Sequence, residues 1–438
     1  MLDIKYIREN AEVVKKAVVE KHLSQVVDVD RLLELDAKHI SLLKQVEIHR
    51  GLKNKLSEDI SKVDQETRIK LVSEATAVKQ ELSEMEEKLK VLKSEVERIM
   101  LLVPNVIAPD VPEGKDDSEN VVLRSWGEPK KFSFTPRDHV ELGTKLDLID
   151  TEKAAEVSGS RFVYLKNEAV LLQFAIIQFV FKTLTDPILI SKIAQSVGNP
   201  FNNVFTPVVP PVLIKPEIMK RMDRLDPIEE RYYIPGDPLV LVGSAEHTLG
   251  PLLMNETVEQ KDLPIRYIGY STAFRREAGT YGKDIKGIIR VHQFDKLEFE
   301  TFVPQEFGDV EQKFLVALQE YFMQQLGIPY QVIGICSGDM GKPDYRQIDI
   351  NSWMPSQGKY RETQTSDYMT DFQSRRLNSA YKGEDGARKY LYMNDATAIA
   401  IGRTLVAIME NYQEEDGSIR VPEILQKYVG IDKIKTRG

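Results

Sequence analysis

Residues 274–300 read FRREAGTYGKDIKGIIRVHQFDKLEFE and form the densest polar segment of the chain. In its second half, polar or aromatic residues alternate with apolar ones. Successive side chains of a β-strand point to opposite faces, so this alternation predicts a strand over 288–302 with one apolar and one polar face. The polar face would carry Arg290, His292, Phe294, Lys296, Glu298 and Glu300. Arg275 and Glu277 would extend this face across a glycine-containing loop.

This combination of side chains suits the binding of a nucleotide. Guanidinium groups hold polyphosphates through paired hydrogen bonds, and an aromatic ring offers a stacking surface for a base. The carboxylates remain for a metal ion or an amine. The alternative is a solvated sheet face with cross-strand ion pairs, which the pattern alone leaves open.

Three further segments place polar groups together. They are Ser244-Ala245-Glu246, the run 360–366 (YRETQTS) and the run 398–403 (AIAIGR). Arg403 would lie at the start of an apolar helix, where the helix dipole disfavours a cation and desolvation is costly. The position of Arg403 therefore predicts that an anion binds beside its side chain.

The body that contains these segments begins near residue 121. Strand-like runs include 208–213 and 288–302, and helical patterns cover 139–150, 168–184, 308–326 and 396–411. Strands adjacent in sequence indicate an antiparallel sheet with helices packed on it, an α+β fold. The proline-rich and polar stretch 104–120 is typical of a linker.

The N-terminal part predicts a long helical hairpin over about residues 30–103. Apolar residues repeat in steps of four and three from Leu71 to Val103, and the same spacing runs from Leu32 to Val63 with three polar interruptions. Such a repeat is the seam of an antiparallel coiled coil, with the turn near residues 64–67. Each helix would be roughly 50 Å long at 1.5 Å per residue.

The charges of the hairpin leave its role open. Residues 30–63 hold seven Lys or Arg and six Asp or Glu, and residues 68–100 hold seven of each. A dimerisation coiled coil, a rigid spacer and an arm that contacts phosphates are all compatible with this balance.

The composition excludes several classes of protein. The 438 residues carry 59 Lys and Arg against 68 Asp and Glu, a net charge of −9, which argues against a generally basic nucleic-acid coat protein. One cysteine and six scattered histidines exclude a disulfide framework and predict that zinc is not a cofactor. Without a signal peptide or an apolar run long enough for a membrane span, we expect a cytoplasmic protein with no membrane partner.

At residues 274–300 the sequence resembles motif 2 of the class II aminoacyl-tRNA synthetases, in its seryl-tRNA synthetase form. Residues 204–213 (VFTPVVPPVL) resemble motif 1, the dimer-interface strand, and residues 398–411 resemble motif 3. SGSRFVYL at 158–165 and MLDIKYIREN at 1–10 also resemble that family. The resemblance therefore covers essentially the whole chain. It implies an N-terminal tRNA-binding domain over 1–103, a linker over 104–120 and a catalytic domain over 121–438.

The resemblance also implies a role for each candidate site residue. Arg275 would bind the ATP α-phosphate and, with Arg403, carry catalysis, while Glu277 would lie near the adenine, Phe294 would stack on it and Arg290 would meet the distal phosphates. Glu362 and Thr365 would hold Mg²⁺, and the same ATP site would include Arg276, Thr363 and Gln364. The serine site would consist of Ser244, Ala245, Glu246, Glu298 and Thr397.

The sequence departs from the family pattern at four places. The triplet 244–246 begins with Ser instead of Thr and is followed by His247, Asn351 replaces a frequent Glu, residues 363–368 read TQTSDY, and residues 394–397 read NDAT. Because Arg275, Glu277, Glu298, Glu362 and Arg403 all remain, these changes indicate a divergent enzyme.

By this resemblance the protein would be a homodimeric ligase that uses ATP and Mg²⁺ to join L-serine to tRNA(Ser), with tRNA(Sec) as a second candidate acceptor. The hairpin would bind the tRNA. Three alternatives remain: a ligase that loads a small amino acid onto a carrier protein, a non-catalytic tRNA-binding paralogue, and a coiled-coil scaffold. The first lacks a long hairpin, retained Arg275 and Arg403 disfavour the second, and the polar faces of the body disfavour the third.

Overall fold

The computed structural model describes residues 1–277 and 287–436. These residues fall into two compact units, one over residues 1–106 and the other from residue 107 onward. The predicted linker 104–120 spans this boundary.

The first unit is helical. It consists of α1 (Ile4–Glu9), α2 (Ala11–Glu20), α3 (Val29–Ile60) and α4 (Gln65–Met100). The side chains of Asp28 and Asp64 accept hydrogen bonds from backbone N–H groups in the first turns of α3 and α4, which fixes where both helices begin. The predicted hairpin is therefore confirmed, with its turn at residues 61–64.

Apolar seam residues hold the two long helices together. Leu35, Val46 and Leu56 of α3 and Val78 and Leu82 of α4 are buried, although most of the hairpin surface is exposed. Burial of side chains of this size stabilises a fold by roughly 1.5–3 kcal/mol each, so the seam outweighs the exposed ion pairs between the helices.

The second unit combines helices and strands. Its helices are α5 (His139–Lys145), α6 (Thr151–Ser158), α7 (Glu168–Leu184), α8 (Pro187–Ser196), α9 (Pro216–Arg221), α10 (Glu246–Leu249), α11 (Gly308–Gln325), α12 (Phe372–Leu377), α13 (Ile401–Asn411) and α14 (Glu423–Val429). Its strands are β1 (Val121–Trp126), β2 (Ile149–Asp150), β3 (Tyr164–Leu165), β4 (Thr206–Val208), β5 (Leu213–Ile214), β6 (Tyr233–Ile234), β7 (Leu239–Leu241), β8 (Thr257–Glu259), β9 (Ile265–Phe274), β10 (Gln293–Val303), β11 (Tyr330–Gly334), β12 (Arg346–Met354), β13 (Lys359–Thr370), β14 (Ala380–Lys382), β15 (Arg388–Tyr390), β16 (Tyr392–Ala400), β17 (Ile419–Arg420) and β18 (Lys433–Ile434).

Eight strands form the central sheet in the order β1-β11-β12-β13-β16-β10-β9-β4. All neighbours are antiparallel except β4 and β9, which are parallel. The predicted α+β fold, with an antiparallel sheet flanked by helices, is confirmed.

The two faces of the sheet differ in chemistry. Leu297 and Phe299 of β10 and Ala396 and Ala398 of β16 join one large apolar core with residues of α7, α11 and α13. Buried Gln319 of α11 donates hydrogen bonds to the backbone oxygens of Thr365 and Thr397, which ties β13 to β16. The opposite face therefore remains available to polar side chains.

Several predicted boundaries were wrong. The helix predicted over 396–411 begins at Ile401, because residues 396–400 belong to β16 between two neighbouring strands. The strand predicted over 288–302 begins only at Gln293. Gly287 has a φ of +74°, and a side chain there would collide with His139, so the chain turns at this point before it enters β10.

Two shorter elements also differ from the prediction. The helix predicted over 139–150 ends at Lys145, and β2 follows at Ile149. The run predicted as a strand over 208–213 is divided, since β4 ends at Val208 and β5 begins at Leu213. Pro210 and Pro211, which have no backbone N–H to donate, lie in this gap.

No single helix within the described ranges is long and apolar enough to cross a membrane. The helices α7 and α8 meet that length and composition test only as a pair, which is bent by 73°.

Candidate active site

A cavity of about 230 Å³ opens on the polar face of the central sheet. It collects side chains that are far apart in the sequence, from β10, β13 and β16, from the segment after β9, from the starts of α10 and α13, and from the loop between α9 and β6. Those with charged or hydroxyl groups are Arg224, Glu246, Arg275, Glu277, Arg290, Lys296, Glu298, Glu362, Thr363, Thr365, Asp367, Asp395, Thr397 and Arg403. Eleven residues of the predicted site line this one cavity.

One end of the cavity combines arginines with an aromatic ring. The guanidinium carbon of Arg275 lies 5.5 Å from the centre of the Phe294 ring, and its Nε donates a hydrogen bond to the backbone oxygen of Gly243 at 3.1 Å. Burial is the main factor that lowers the pKa of Arg275, although this side chain remains a cation at neutral pH. A buried cation of this kind suits an anionic ligand.

Arg290 and Glu277 form an ion pair at the same end, with Nη1 of Arg290 2.6 Å from a carboxylate oxygen of Glu277. Glu277 has a φ of +51°, an uncommon conformation for a residue with a side chain, and its backbone oxygen accepts a hydrogen bond from Arg161. Residues 278–286, which belong to the segment predicted as motif 2, lie outside the described residues.

Arg403, in the first turn of α13, pairs with Glu362 of β13. Its Nη1 donates hydrogen bonds to the side chain of Glu362 at 2.8 Å and to the backbone oxygen of that residue at 2.9 Å. The anion expected near Arg403 is thus supplied, in this structure, by a carboxylate of the chain itself.

The other end of the cavity is lined by carboxylates and hydroxyls. Thr397 donates a hydrogen bond to Glu298 at 3.2 Å, and the ammonium group of Lys296 pairs with the same carboxylate. Burial, followed by the charge of Arg275, lowers the pKa of Lys296 to about 8. Polar groups from β10 and β16 are therefore held at fixed positions against one another.

Glu246, at the start of α10, is fixed from two sides. Nε of Arg224 lies 3.0 Å from its carboxylate, and Nε2 of His247 lies 3.4 Å from the same oxygen. The other ring nitrogen of His247 accepts a hydrogen bond from the backbone N–H of Gly243. Because burial lowers the pKa of His247 to about 4, this imidazole is neutral and donates through Nε2.

Four predicted residues do not line the cavity. Ser244 and Ala245 are buried behind it, and Ser244 Oγ accepts a weak hydrogen bond from the backbone of Glu246 at 3.4 Å. Gln364 donates to the backbone oxygen of Ala398 at 2.6 Å, and Arg276 is exposed. The first three shape the elements that carry the site.

Two residues predicted on the polar face of the strand, His292 and Glu300, do not line the cavity. The ring of His292 packs near Phe162 and Tyr232, and Glu300 is completely buried. No hydrogen-bond donor reaches either carboxylate oxygen of Glu300. Burial, followed by the nearby charge of Asp395, raises the pKa of Glu300 well above its ordinary value.

Four charged cavity residues were not predicted as site residues, namely Arg224, Lys296, Asp367 and Asp395, although Lys296 was expected on the polar face of the strand. Arg224 lies in a loop without any periodic pattern, so nothing in the sequence marks it. Asp367 and Asp395 could have been found from alternation, since Asp367 follows Thr365 by two positions and Asp395 precedes Thr397 by two.

The position proposed for Mg²⁺ meets a chemical test. Glu362 and Thr365 line the cavity together. Buried Asp349 lies close to both, since it interacts with the charge of Glu362 and with the hydroxyl group of Thr365. Burial, followed by the charge of Glu362, raises the pKa of Asp349 well above its ordinary value. Hard oxygen ligands of this type fit Mg²⁺, which usually keeps several waters and uses substrate phosphates as well. Among the residues described, no three His, Cys, Asp or Glu side chains form a metal-binding group.

Comparison with protein families gives two matches. Residues 234–412 match the tRNA synthetase class II core domain (G, H, P, S and T), and residues 1–107 match the seryl-tRNA synthetase N-terminal domain.

Individual relatives match this chain along its full length. A serine–tRNA ligase of Dictyoglomus turgidum is 40% identical and covers 100% of both chains. The crystal structure of seryl-tRNA synthetase from Pyrococcus horikoshii complexed with ATP superposes with a TM-score of 0.91 at 36% identity, again over 100% of each chain. A cytoplasmic serine–tRNA ligase from Naegleria fowleri in complex with AMP is 26% identical, with a TM-score of 0.86 over 100% of this chain and 99% of that one.

An antiparallel sheet of this order, with an arginine-rich and carboxylate-rich cavity on one face, defines a class II aminoacyl-tRNA synthetase, and the core-domain match agrees. Within that class, the chain belongs to the seryl-tRNA synthetase family and is an enzyme of the serine–tRNA ligase type. The predicted resemblance is confirmed.

Proposed function

We propose that this enzyme activates L-serine with ATP to form seryl-adenylate and then transfers serine to the terminal ribose of tRNA(Ser). The observation that carries the proposal is the continuity of the cavity. It joins an end with Arg275, Phe294 and Arg403 to an end with Glu246 and Glu298, so a nucleotide and an amino acid would meet between them.

At the nucleotide end, Arg275 would bind the α-phosphate and Phe294 would stack on the adenine. Arg290, Arg403 and Glu277 would release their present ion pairs to meet phosphates and base. Arginine binds phosphate through two parallel hydrogen bonds, which gives both charge neutralisation and orientation. Attack of the serine carboxylate on the α-phosphorus needs no protein nucleophile, only positioning and stabilisation of developing charge.

Mg²⁺ would be held by Glu362 and Thr365, and when bound it would supply positive charge to the phosphates. Thr363 would contribute to the wall of the ATP site, and Arg276 and Gln364 would support it from outside the cavity.

At the amino-acid end, Glu298 and Thr397 would receive the ammonium and hydroxyl groups of serine, with Glu246 beside them. Ser244 and Ala245 would act by shaping the segment that carries Glu246. Rejection of alanine would follow because buried polar groups would lose a partner when the substrate hydroxyl is missing.

The helical hairpin would bind the tRNA, with tRNA(Ser) as the main acceptor and tRNA(Sec) as a second candidate. The domain roles we propose are tRNA binding for residues 1–103, a linker for 104–120 and catalysis for 121–438. We further propose a cytoplasmic homodimer that pairs through motif 1 at residues 204–213. In support, apolar Val209 is 76% exposed and Ile188 of α8 is 82% exposed.

Amino-acid-dependent ATP–pyrophosphate exchange with all twenty amino acids tests the activation step. We expect exchange with serine alone. Exchange with another amino acid instead would contradict the proposed substrate, and ATP binding without any exchange would contradict the proposed enzyme.

A further inference from the structure

The loop before the short 3-10 helix Ile228–Glu230 brings Arg224 into the wall of the cavity at its amino-acid end. Arg224 belongs to none of the three motifs, and its side chain is only 16% exposed. A buried guanidinium inside a substrate cavity requires an explanation, because it is costly to desolvate unless its partners are well placed.

The backbone around Arg224 is anchored at three successive residues. Gln373 donates a hydrogen bond to the backbone oxygen of Met222, and Arg231 donates to that of Arg224 at 2.9 Å. Between them, Asp223 has a φ of +61°, which is strained for a residue with a side chain.

Two cations hold the carboxylate of Asp223. Lys342 Nζ lies 2.6 Å away and Arg376 Nη1 lies 3.1 Å away. Strained residues persist where the surroundings fix them, and such positions concentrate at functional sites. The loop is thus built to hold the next side chain in one place.

The guanidinium group of Arg224 is also fixed by its own partners. Its Nε lies 3.0 Å from Glu246, and its Nη2 lies 3.2 Å from Asp395 and 3.8 Å from Asp367. All three carboxylates line the same cavity. A planar group in contact with three carboxyl groups is restricted in its orientation, which makes this wall resistant to a larger ligand.

We propose that Arg224 is the specificity-determining residue of the amino-acid end: it closes the cavity there and limits the substrate to a small, polar amino acid. This inference rests on the proposed function and deepens it, because it names the wall that separates serine from threonine. Threonine keeps the hydroxyl and adds one methyl group, which would meet a rigid, charged surface.

Two features of the wall make the discrimination between serine and threonine strong. A methyl group pressed against hydrogen-bonded polar side chains displaces their partners, and a wall anchored at Met222, Asp223 and Arg224 does not relax to admit it. An extra methylene in a soft apolar pocket is discriminated by only about 10- to 200-fold, so a rigid polar wall can exceed that range.

The test compares serine and threonine in ATP–pyrophosphate exchange, with the full-length protein and four variants. Arg224→Ala should raise the ratio of kcat/KM for threonine to that for serine by at least about tenfold and leave the KM for ATP within about twofold. Arg224→Lys, which keeps the charge without the planar group, should give an intermediate ratio. Asp395→Asn, which removes one carboxyl partner of Arg224, should raise it about threefold or more. Arg221→Ala, an exposed arginine of the preceding helix, is the matched control and should not change it.

The inference is overturned if both Arg224 variants keep the wild-type ratio, or if they raise the KM for ATP as much as the KM for serine. If thermal melting shows that Arg224→Ala does not fold, the same criteria for the threonine-to-serine ratio and the KM values are applied to Arg224→Lys and Asp395→Asn. Wild-type exchange with serine separates this inference from the proposed function. If the wild type instead activates another amino acid, the proposed function fails, and the same variants test the wall against that amino acid and its next larger analogue.

Discussion

Arg403 and Glu362, which are 41 positions apart in the sequence, form an ion pair of 2.8 Å across the cavity, from the first turn of α13 to β13. Both are proposed ligands of the phosphate end, one for the phosphates and one for Mg²⁺. In this structure the two side chains neutralise each other. Arg403 is therefore held near the position where it would act, without the cost of an unpaired charge.

This pairing predicts the effect of Arg403→Ala. We expect serine-dependent pyrophosphate exchange to fall about 10²- to 10³-fold, as when a charged donor to a transition state is removed. Arg403→Lys should recover part of the loss, because the charge returns without the two-pronged geometry. Steady-state exchange kinetics measure both variants. Arg420→Ala, which removes an exposed arginine paired with Glu414, should keep wild-type rates.

A loss smaller than about threefold in Arg403→Ala, with folding confirmed by thermal melting, would contradict the proposed role of Arg403 at the phosphates.

Phe294→Leu should weaken ATP binding more than serine binding. Stacking of a base on an aromatic ring contributes about 1–3 kcal/mol, which corresponds to a rise in the KM for ATP of roughly 5- to 150-fold. The KM for serine should change by less than about threefold, since the proposed serine contacts lie at the other end of the cavity. Phe132→Leu is the matched control, because that ring contacts Phe134 away from the cavity. Equal rises in both KM values would show that Phe294 supports the whole site and not the base.

Much of this fold can be predicted from sequence where the pattern is long or strictly alternating. The seam of the hairpin repeats for many turns, and its helices begin at Asp28 and Asp64, residues typical of N-caps. The alternation of Phe294, Lys296 and Glu298 correctly indicates which face of β10 meets the cavity. These signals are local, so the sequence alone contains them.

What could not be predicted depends on contacts between distant segments. Residues 396–400 are alanine-rich and apolar, which suits a helix as well as a buried strand, and only the neighbours β10 and β13 decide the outcome. Arg224 is placed by anchors from residues 342, 373 and 376, more than a hundred positions away. No spacing rule relates a loop residue to partners so remote.

Asp395 predicts a pH dependence of stability. Burial, then the charge of Glu246, raises its pKa from 3.8 to about 7. A carboxyl group whose pKa is higher in the folded state binds more protons when folded, so its contribution to the free energy of unfolding falls as the pH rises from about 4 to 7. Asp395→Asn removes this pH-dependent loss.

Urea denaturation at pH 5.5 and pH 8.5 measures the effect. We expect the free energy of unfolding of Asp395→Asn, relative to wild type, to be higher at pH 8.5 than at pH 5.5 by at least about 1 kcal/mol. Asp385→Asn is the matched control: hydrogen bonds from Ala387 and Lys389 lower the pKa of that exposed carboxyl group, so it is ionised at both pH values. A relative stability of Asp395→Asn that does not change with pH would contradict the assignment of a raised pKa to this cluster.

Removal of residues 35–98 tests the role of the hairpin. We expect serine-dependent pyrophosphate exchange to persist within about threefold, because the cavity is built wholly from the second unit. Charging of tRNA(Ser) should fall by more than about 100-fold, since the proposed phosphate contacts of the arm are lost. Filter assays with labelled serine measure charging. Deletion of only residues 50–70, the outer end of the hairpin, serves as the comparison. It shows whether the tRNA contacts lie at this end or along the rest of the two helices. Full charging by the shorter protein would show that the hairpin has a purpose other than tRNA binding.

The proposed homodimer predicts a response to a charge placed among the exposed apolar side chains of α7 and α8. Ile188 is 82% exposed on α8, and Phe174 on α7 is 51% exposed, although both are large apolar side chains. Ile188→Asp would bury an unpaired carboxylate in the interface, so we expect dissociation at micromolar concentration, measured by sedimentation velocity. Val157→Asp is the matched control, because Val157 is also exposed, at 64%, but lies on α6 outside the proposed interface. Dissociation by both substitutions, or by neither, would place the subunit contact elsewhere on the molecule.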